Sequence, residues 1–115
     1  MKIKDYFPNI GYHVSYFPKF NYITGDVKAT ILLCQLLFWE GKQADPSSWV
    51  YKTQKELFEE TGLTRREQET ARKKLKEKGF LNEMHRGIPR KLYFRLDLYK
   101  IYQSWEEYLK TAFND

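Results

Sequence analysis

Cysteine is nearly absent: Cys34 stands alone among 115 residues. No internal disulfide can staple the chain, so its fold has to rest on a packed core, and a reducing compartment suits it. Histidine is almost as scarce. His13 and His85 each lack a neighbouring Cys or His, which speaks against a zinc site. The glycines form neither GxGxxG nor GxxxxGK[ST], so no phosphate-cradling loop is expected. Long apolar runs are missing too. The longest, 31–33 and 36–39, is broken by Gln35 and is too short to span a bilayer. The opening MKIKDYFPNI has no apolar stretch followed by small residues, so no signal peptide is read and a cytoplasmic location is expected. Glu59-Glu60 and Glu106-Glu107 adjoin, but neighbours on a helix diverge and make poor acid–base pairs; solvated helix faces are expected there. Cys34 sits in an apolar helix without a base beside it and reads as core. These absences predict no enzyme, no metal and no cofactor.

What is present is apolar and basic. Hydrophobic residues make up 42% of the chain and aromatic residues 17%, enough for a core and against a disordered segment. The net charge is +5, but its placement says more. Residues 64–95 hold 11 Lys/Arg and 4 Asp/Glu, a net of +7, and the remainder a net of −2. Excess charge confined to one contiguous third points to a polyanionic partner.

The chain divides into three parts. Residues 1–23 form an arm with seven aromatics; Pro8 and Pro18 oppose a helix, and a short strand is expected at 12–17. Residues 24–97 carry the main body. A helix opens near Asp26 and stops near Gly41, apolar on nearly every side and therefore buried all round. A polar loop with Pro46 precedes a strand at 49–51. Thr53 and Glu56 form a capping box on the helix 54–61, with Leu57 and Phe58 facing inward. Gly62 makes the turn, and a second capping box, Thr64 to Glu67, opens the helix that Gly79 closes. Strands at 80–86 and 90–96 flank Gly87-Ile88-Pro89 as a hairpin. Residues 98–115 form a last helix capped by Asp97, with Leu98, Ile101, Tyr102, Trp105, Tyr108, Leu109 and Ala112 on its apolar stripe, packing on the body or on a partner subunit. The expected fold is mainly α with a small β-hairpin, an α+β winged helix-turn-helix with an extra N-terminal arm and C-terminal helix.

At ~100° per residue, Thr64, Gln68, Ala71 and Leu75 fall on the inward side of the basic helix, and Arg65, Arg66, Glu69, Lys73 and Lys76 on the far side. Residues near a recognition helix's N-terminus reach deepest into the major groove, and arginine pairs bidentately with guanine. Thr64, Arg65, Arg66, Glu69, Thr70 and Lys73 are the candidates there, with Lys76 on the backbone. At the hairpin tip, which also holds His85, Arg86, Arg90 and Lys91 are candidates for the minor groove or phosphates. The competing reading is a solvated helix with an ordinary Glu69–Lys73 pair and an edge strand blunted by charge.

The runs GDVKATILLCQLLFW, WVYKTQKELFEETGLTRREQETARKKLKEKGFL and GIPRKLYFRLD resemble the N-terminal winged-helix domain of phage and plasmid replication proteins, the replisome-organiser and DnaD-like group. The similarity covers about residues 16–97. It implies binding of double-stranded DNA at an origin-type site, and self-association as a homodimer through the arm and residues 31–39. Proteins of the group usually continue into a second domain, whereas this sequence ends at Asp115. Two alternatives stand beside a replication role: a transcriptional regulator, and a protein-interaction winged helix that meets an acidic partner.

Overall fold

The computed structural model describes residues 2–42 and 49–113. It is mainly helical with one small antiparallel sheet. The order is α1 (Ile3–Tyr6), a 3-10 turn (Pro18–Phe20), α2 (Asn21–Thr24), α3 (Val27–Trp39), β1 (Val50–Tyr51), α4 (Gln54–Thr61), α5 (Arg65–Glu77), β2 (Leu81–Arg86), β3 (Lys91–Leu96) and α6 (Leu98–Phe113). The sheet order is β1-β3-β2, every pair antiparallel. The loop expected around Pro46 lies largely outside the described residues.

Helix α3 is the hub. Gly25 turns the chain at φ 76°, and the Asp26 carboxylate accepts from the Ala29 N–H at 2.9 Å, which starts the helix. Ala29, Leu32, Leu33, Cys34 and Leu36 are all buried. Each large aliphatic so buried stabilises the fold by about 1.5–3 kcal/mol. Burial all round holds at the centre only, since Val27 and Phe38 at the two ends are exposed. Its polar residues are partnered. The hydroxyls of Thr30 and Thr24 share a hydrogen bond of 2.7 Å. Gln35 donates to Glu60 at 2.6 Å. Trp39 Nε1 and Lys52 Nζ donate to the same carboxylate, each at 2.8 Å. Glu60 is thus a buried acceptor holding α3, α4 and the β1 end together, and not part of a solvated helix face.

Both capping boxes form. Thr53 and Glu56 close α4's start, and Thr64 and Glu67 close that of α5. Between the helices Gly62 sits at φ 78°, a conformation that opposes a Cβ. Leu57 faces the core as expected, but Phe58 is 51% exposed, because the eight-residue helix offers α3 and α5 one narrow face. Gln68, Ala71 and Leu75 form the inward stripe of α5 against α3. Thr64 does not join them; as the N-cap it is exposed, its hydroxyl accepting the Glu67 N–H.

The hairpin alternates as a half-covered sheet must. Leu81, Phe94 and Leu96, with Val50 from β1, face the core. At the N-terminus no strand forms over 12–17. The arm instead holds one helical turn, α1, with nothing buried, and the 3-10 turn that Pro18 opens, where its missing N–H is not needed. The 23/24 boundary expected between arm and body falls inside α2, whose Ile23 and Thr24 are both core. Helix α6 begins at the Asp97 cap. It packs back on the α2 region through Ile101 and through aromatic contacts, Phe20 edge-on to Trp105 at 5.5 Å and Tyr22 stacked on Tyr108 at 4.7 Å. Of the rest of its stripe, Leu98, Tyr102 and Ala112 stay exposed and Leu109 is half-buried.

Candidate nucleic-acid interface

Two elements build the basic surface. The capping box fixes where α5 starts, and its buried stripe fixes how the helix is rolled, so the opposite face is solvent-facing without further help. The two-way pairing of β3 with β1 and β2 fixes the hairpin beside it. Between them runs a groove of about 250 Å³, lined among others by Lys52, Arg65, Glu69, Arg72, Arg90 and Lys91. Four predicted residues from separate parts of the chain, Arg65 and Glu69 on α5 and Arg90 and Lys91 at the hairpin, therefore share one depression.

Arg65 and Glu69 are bonded within it at 3.1 Å, both well exposed, so the carboxylate holds the guanidinium along the helix axis. Such an exposed pair adds little stability; its effect is on where the arginine points. Arg66, Thr70 and Lys73 are exposed on α5 outside that groove, and Arg66 and Lys73 take part in no ion pair among the described residues. Lys76 lies one turn beyond Arg72 on the same side of the helix, 2.8 Å from Glu83 on β2. Arg86 belongs to neither group. Its guanidinium lies over the Tyr93 ring at 4.9 Å, on the solvent face of the sheet.

Glu83 is the residue the sequence concealed. It pairs across the ladder with Phe94 and so points under α5, where Arg72 meets it bidentately at 2.5 and 3.1 Å. Burial works to raise the Glu83 pKa, but the hydrogen bonds from Arg72 and Lys76 outweigh it and the net shift is downward. This clamp ties α5 to the hairpin. Arg72 lies seven positions after Arg65, two helical turns along the same side, a spacing that could have flagged it. Lys52, just ahead of the Thr53 cap, gave no such signal.

A second set of charges anchors α5 to α3. Lys28 meets Glu67 at 2.7 Å and Lys74 meets Asp26 at 3.2 Å. The Lys28 ammonium, with the Thr64 N–H and hydroxyl, draws the Glu67 pKa down to about 2. Its negative charge also suits the N-terminal turn of the helix. Asp26 is lowered chiefly by the Ala29 N–H, with Lys74 and Lys28 adding to it. At Cys34 burial raises the thiol pKa, and the Phe17 N–H only partly offsets this, the state of a core side chain.

Among the described residues no three His, Cys, Asp or Glu side chains gather as a metal could require, and no helix is long and apolar enough to cross a membrane. No protein-family model, curated protein or solved structure matches the chain.

Proposed function

We propose that the chain is a winged helix-turn-helix protein that binds double-stranded DNA, with α5 as the recognition helix and the β2–β3 hairpin as the wing. The observation that carries this reading is the groove in which Arg65 and Glu69 meet Arg90 and Lys91. Cations from a helix and from a hairpin tip on one open surface match a duplex, whose phosphates flank the groove that the helix enters. Arg66 and Lys73 reach for base edges or phosphates beyond the depression; Arg65, steered by Glu69, works at its edge.

Replacing Arg66 or Lys73 by Ala tests the assignment. Each charge lost from a phosphate contact weakens duplex binding about equally for all sequences and makes the salt dependence shallower by about 1 log–log unit. Both residues are exposed, so melting temperatures stay unchanged. A gel shift identical to wild type sinks the reading. Selection from a random duplex pool then supplies the site.

Replication initiation is the role that the resemblance to replisome-organiser proteins supports. Chromatin immunoprecipitation checks it: occupancy at an origin agrees, and occupancy at promoters makes the chain a transcriptional regulator. An acidic protein partner is the third reading; it predicts that excess nonspecific duplex fails to displace that partner at moderate salt. We also propose that the protein is a homodimer. The support is apolar surface in need of cover: Ile3, Tyr6, Phe7 and Tyr12 are all more than half exposed. An apolar groove of about 730 Å³ also lies open between Phe17, Phe20, Leu98, Ile101 and Trp105. Light scattering at micromolar concentration should give twice the chain mass; a monomer mass ends the idea.

A further inference from the structure

The other face of the sheet carries its own pattern. Residues that alternate with the buried Val50, Phe94 and Leu96 point away from the core. On β1 these are Tyr51 and, just before the strand, Trp49; on β3 they are Lys91, Tyr93 and Arg95. They form a ladder of rings and cations. Tyr51 lies beside Tyr93 at 5.4 Å between centroids. Arg95 lies over Trp49 at 4.5 Å, Lys91 over Tyr51 at 5.0 Å and Arg86 over Tyr93 at 4.9 Å. No carboxylate takes an outward position on any of the three strands; those of β2 are Asn82, Met84 and Arg86. Glu83, the one acidic residue of the hairpin strands, is turned to α5. The cations are exposed, Tyr51 is 38% exposed, and Trp49 and Tyr93 are half-buried.

Blunting an edge strand accounts for charge but not for this arrangement. β3 is the central strand of the sheet, and its outward lysine and arginine both lie over rings. A surface that presents π-faces and guanidinium planes in register, with cations and no outward carboxylate on its three strands, is chemically suited to unpaired bases joined by phosphates. A duplex keeps its bases stacked on one another and offers nothing to these rings.

We infer that the solvent face of the sheet is a binding platform for single-stranded nucleic acid, bordering the groove proposed for the duplex, whose lining it shares at Tyr51 and Lys91. Bases stack on Trp49, Tyr51 and Tyr93, and Lys91 and Arg95 meet the phosphates. A face of this size holds about two or three bases. Sugar chemistry does not enter the argument, so DNA and RNA strands are distinguished by experiment.

The test is fluorescence anisotropy of labelled oligo(dT) and oligo(rU) of about 12 nucleotides in about 50 mM salt. At least one binds. Binding of both places recognition in bases and phosphates, and binding of one alone names the sugar. Tyr51→Thr and Tyr93→Thr put a strand-favouring residue in each strand and each weaken binding roughly fivefold or more, with duplex affinity unchanged for Tyr93→Thr, the one of the two outside the lining of the duplex groove. Arg66→Ala with Lys73→Ala does the reverse, so the two proposals fail separately. If circular dichroism shows the tyrosine variants unfolded, Lys91→Gln with Arg95→Gln decides. The pair should make the single-strand salt dependence shallower by about 1.4 log–log units. Three results overturn the inference: no single-strand binding, affinity unmoved in folded variants, or equal competition by polyglutamate, which has charge but no bases.

Discussion

Glu83 and Phe94 face each other across β2 and β3, and the pleat that buries the phenylalanine sends the carboxylate under α5. There it accepts from Arg72 and Lys76 with its side chain only 12% exposed. Removing a hydrogen-bonded charge from such a place leaves two cations partly unmatched. Glu83→Gln should lower stability by about 1.5–3 kcal/mol in urea denaturation. Duplex affinity should not fall, because Arg72 and Lys76 gain freedom to meet phosphate; a loss of affinity in the folded variant would instead make the carboxylate part of the interface. Little of this was legible in the linear sequence. Arg65, Glu69, Arg90 and Lys91, which share one groove, stand out as candidates in the sequence because they lie at the start of a capped helix and at a hairpin tip, positions that local chemistry marks. Arg72 and Glu83 were not, because their meeting depends on strand register. Phe58 was assigned inward on hydrophobicity alone, and its 51% exposure follows from the neighbours available to α4, which no local signal encodes.

Helix α5 is held at its first turn by a small set of interlocked groups. Thr64 accepts from the Glu67 N–H, Glu67 accepts from the Thr64 N–H at 2.9 Å, and Lys28 reaches Glu67 from α3. Thr64→Ala should cost about 1 kcal/mol in urea denaturation and weaken duplex binding by fraying the turn that carries Arg65 and Arg66. The same turn is acid-sensitive. Glu67 has its pKa lowered from 4.5 to about 2, so its contribution is complete above pH 4.5 and is lost as pH falls through about 2. Asp26, Glu56 and Glu83 are also lowered and act in the same sense, so melting temperature should fall on acidification below pH 4.5. Glu67→Gln should show a smaller fall over that window in melts followed by circular dichroism; a fall equal to wild type would remove the Lys28 contact from the account. Capping boxes, the glycine turn and the hairpin were all readable, because each is a contract among residues within a few positions. The strand expected at 12–17 did not form, because strand-like composition needs a neighbouring edge and the arm has none.

Across the whole molecule, charge and apolar surface are segregated. The basic groove lies between α5 and the hairpin, the ring-and-cation face lies on the sheet's solvent side, and exposed aromatics crowd the arm and α6. The excess of +7 in residues 64–95 was visible at once, but not its spread over the groove and the sheet's solvent face, since strand register decides which way Lys91, Tyr93 and Arg95 point. The claim on which most rests is that the α5–hairpin groove and its flanks meet phosphates. Its most direct test is duplex affinity measured by anisotropy as salt rises from about 50 to 200 mM, for the wild type and for Arg66→Ala with Lys73→Ala. With about six phosphate contacts, the wild-type log–log slope should lie near −5 and the double variant should be shallower by about 2 units. A flat wild-type line, or identical slopes for the two proteins, would contradict it.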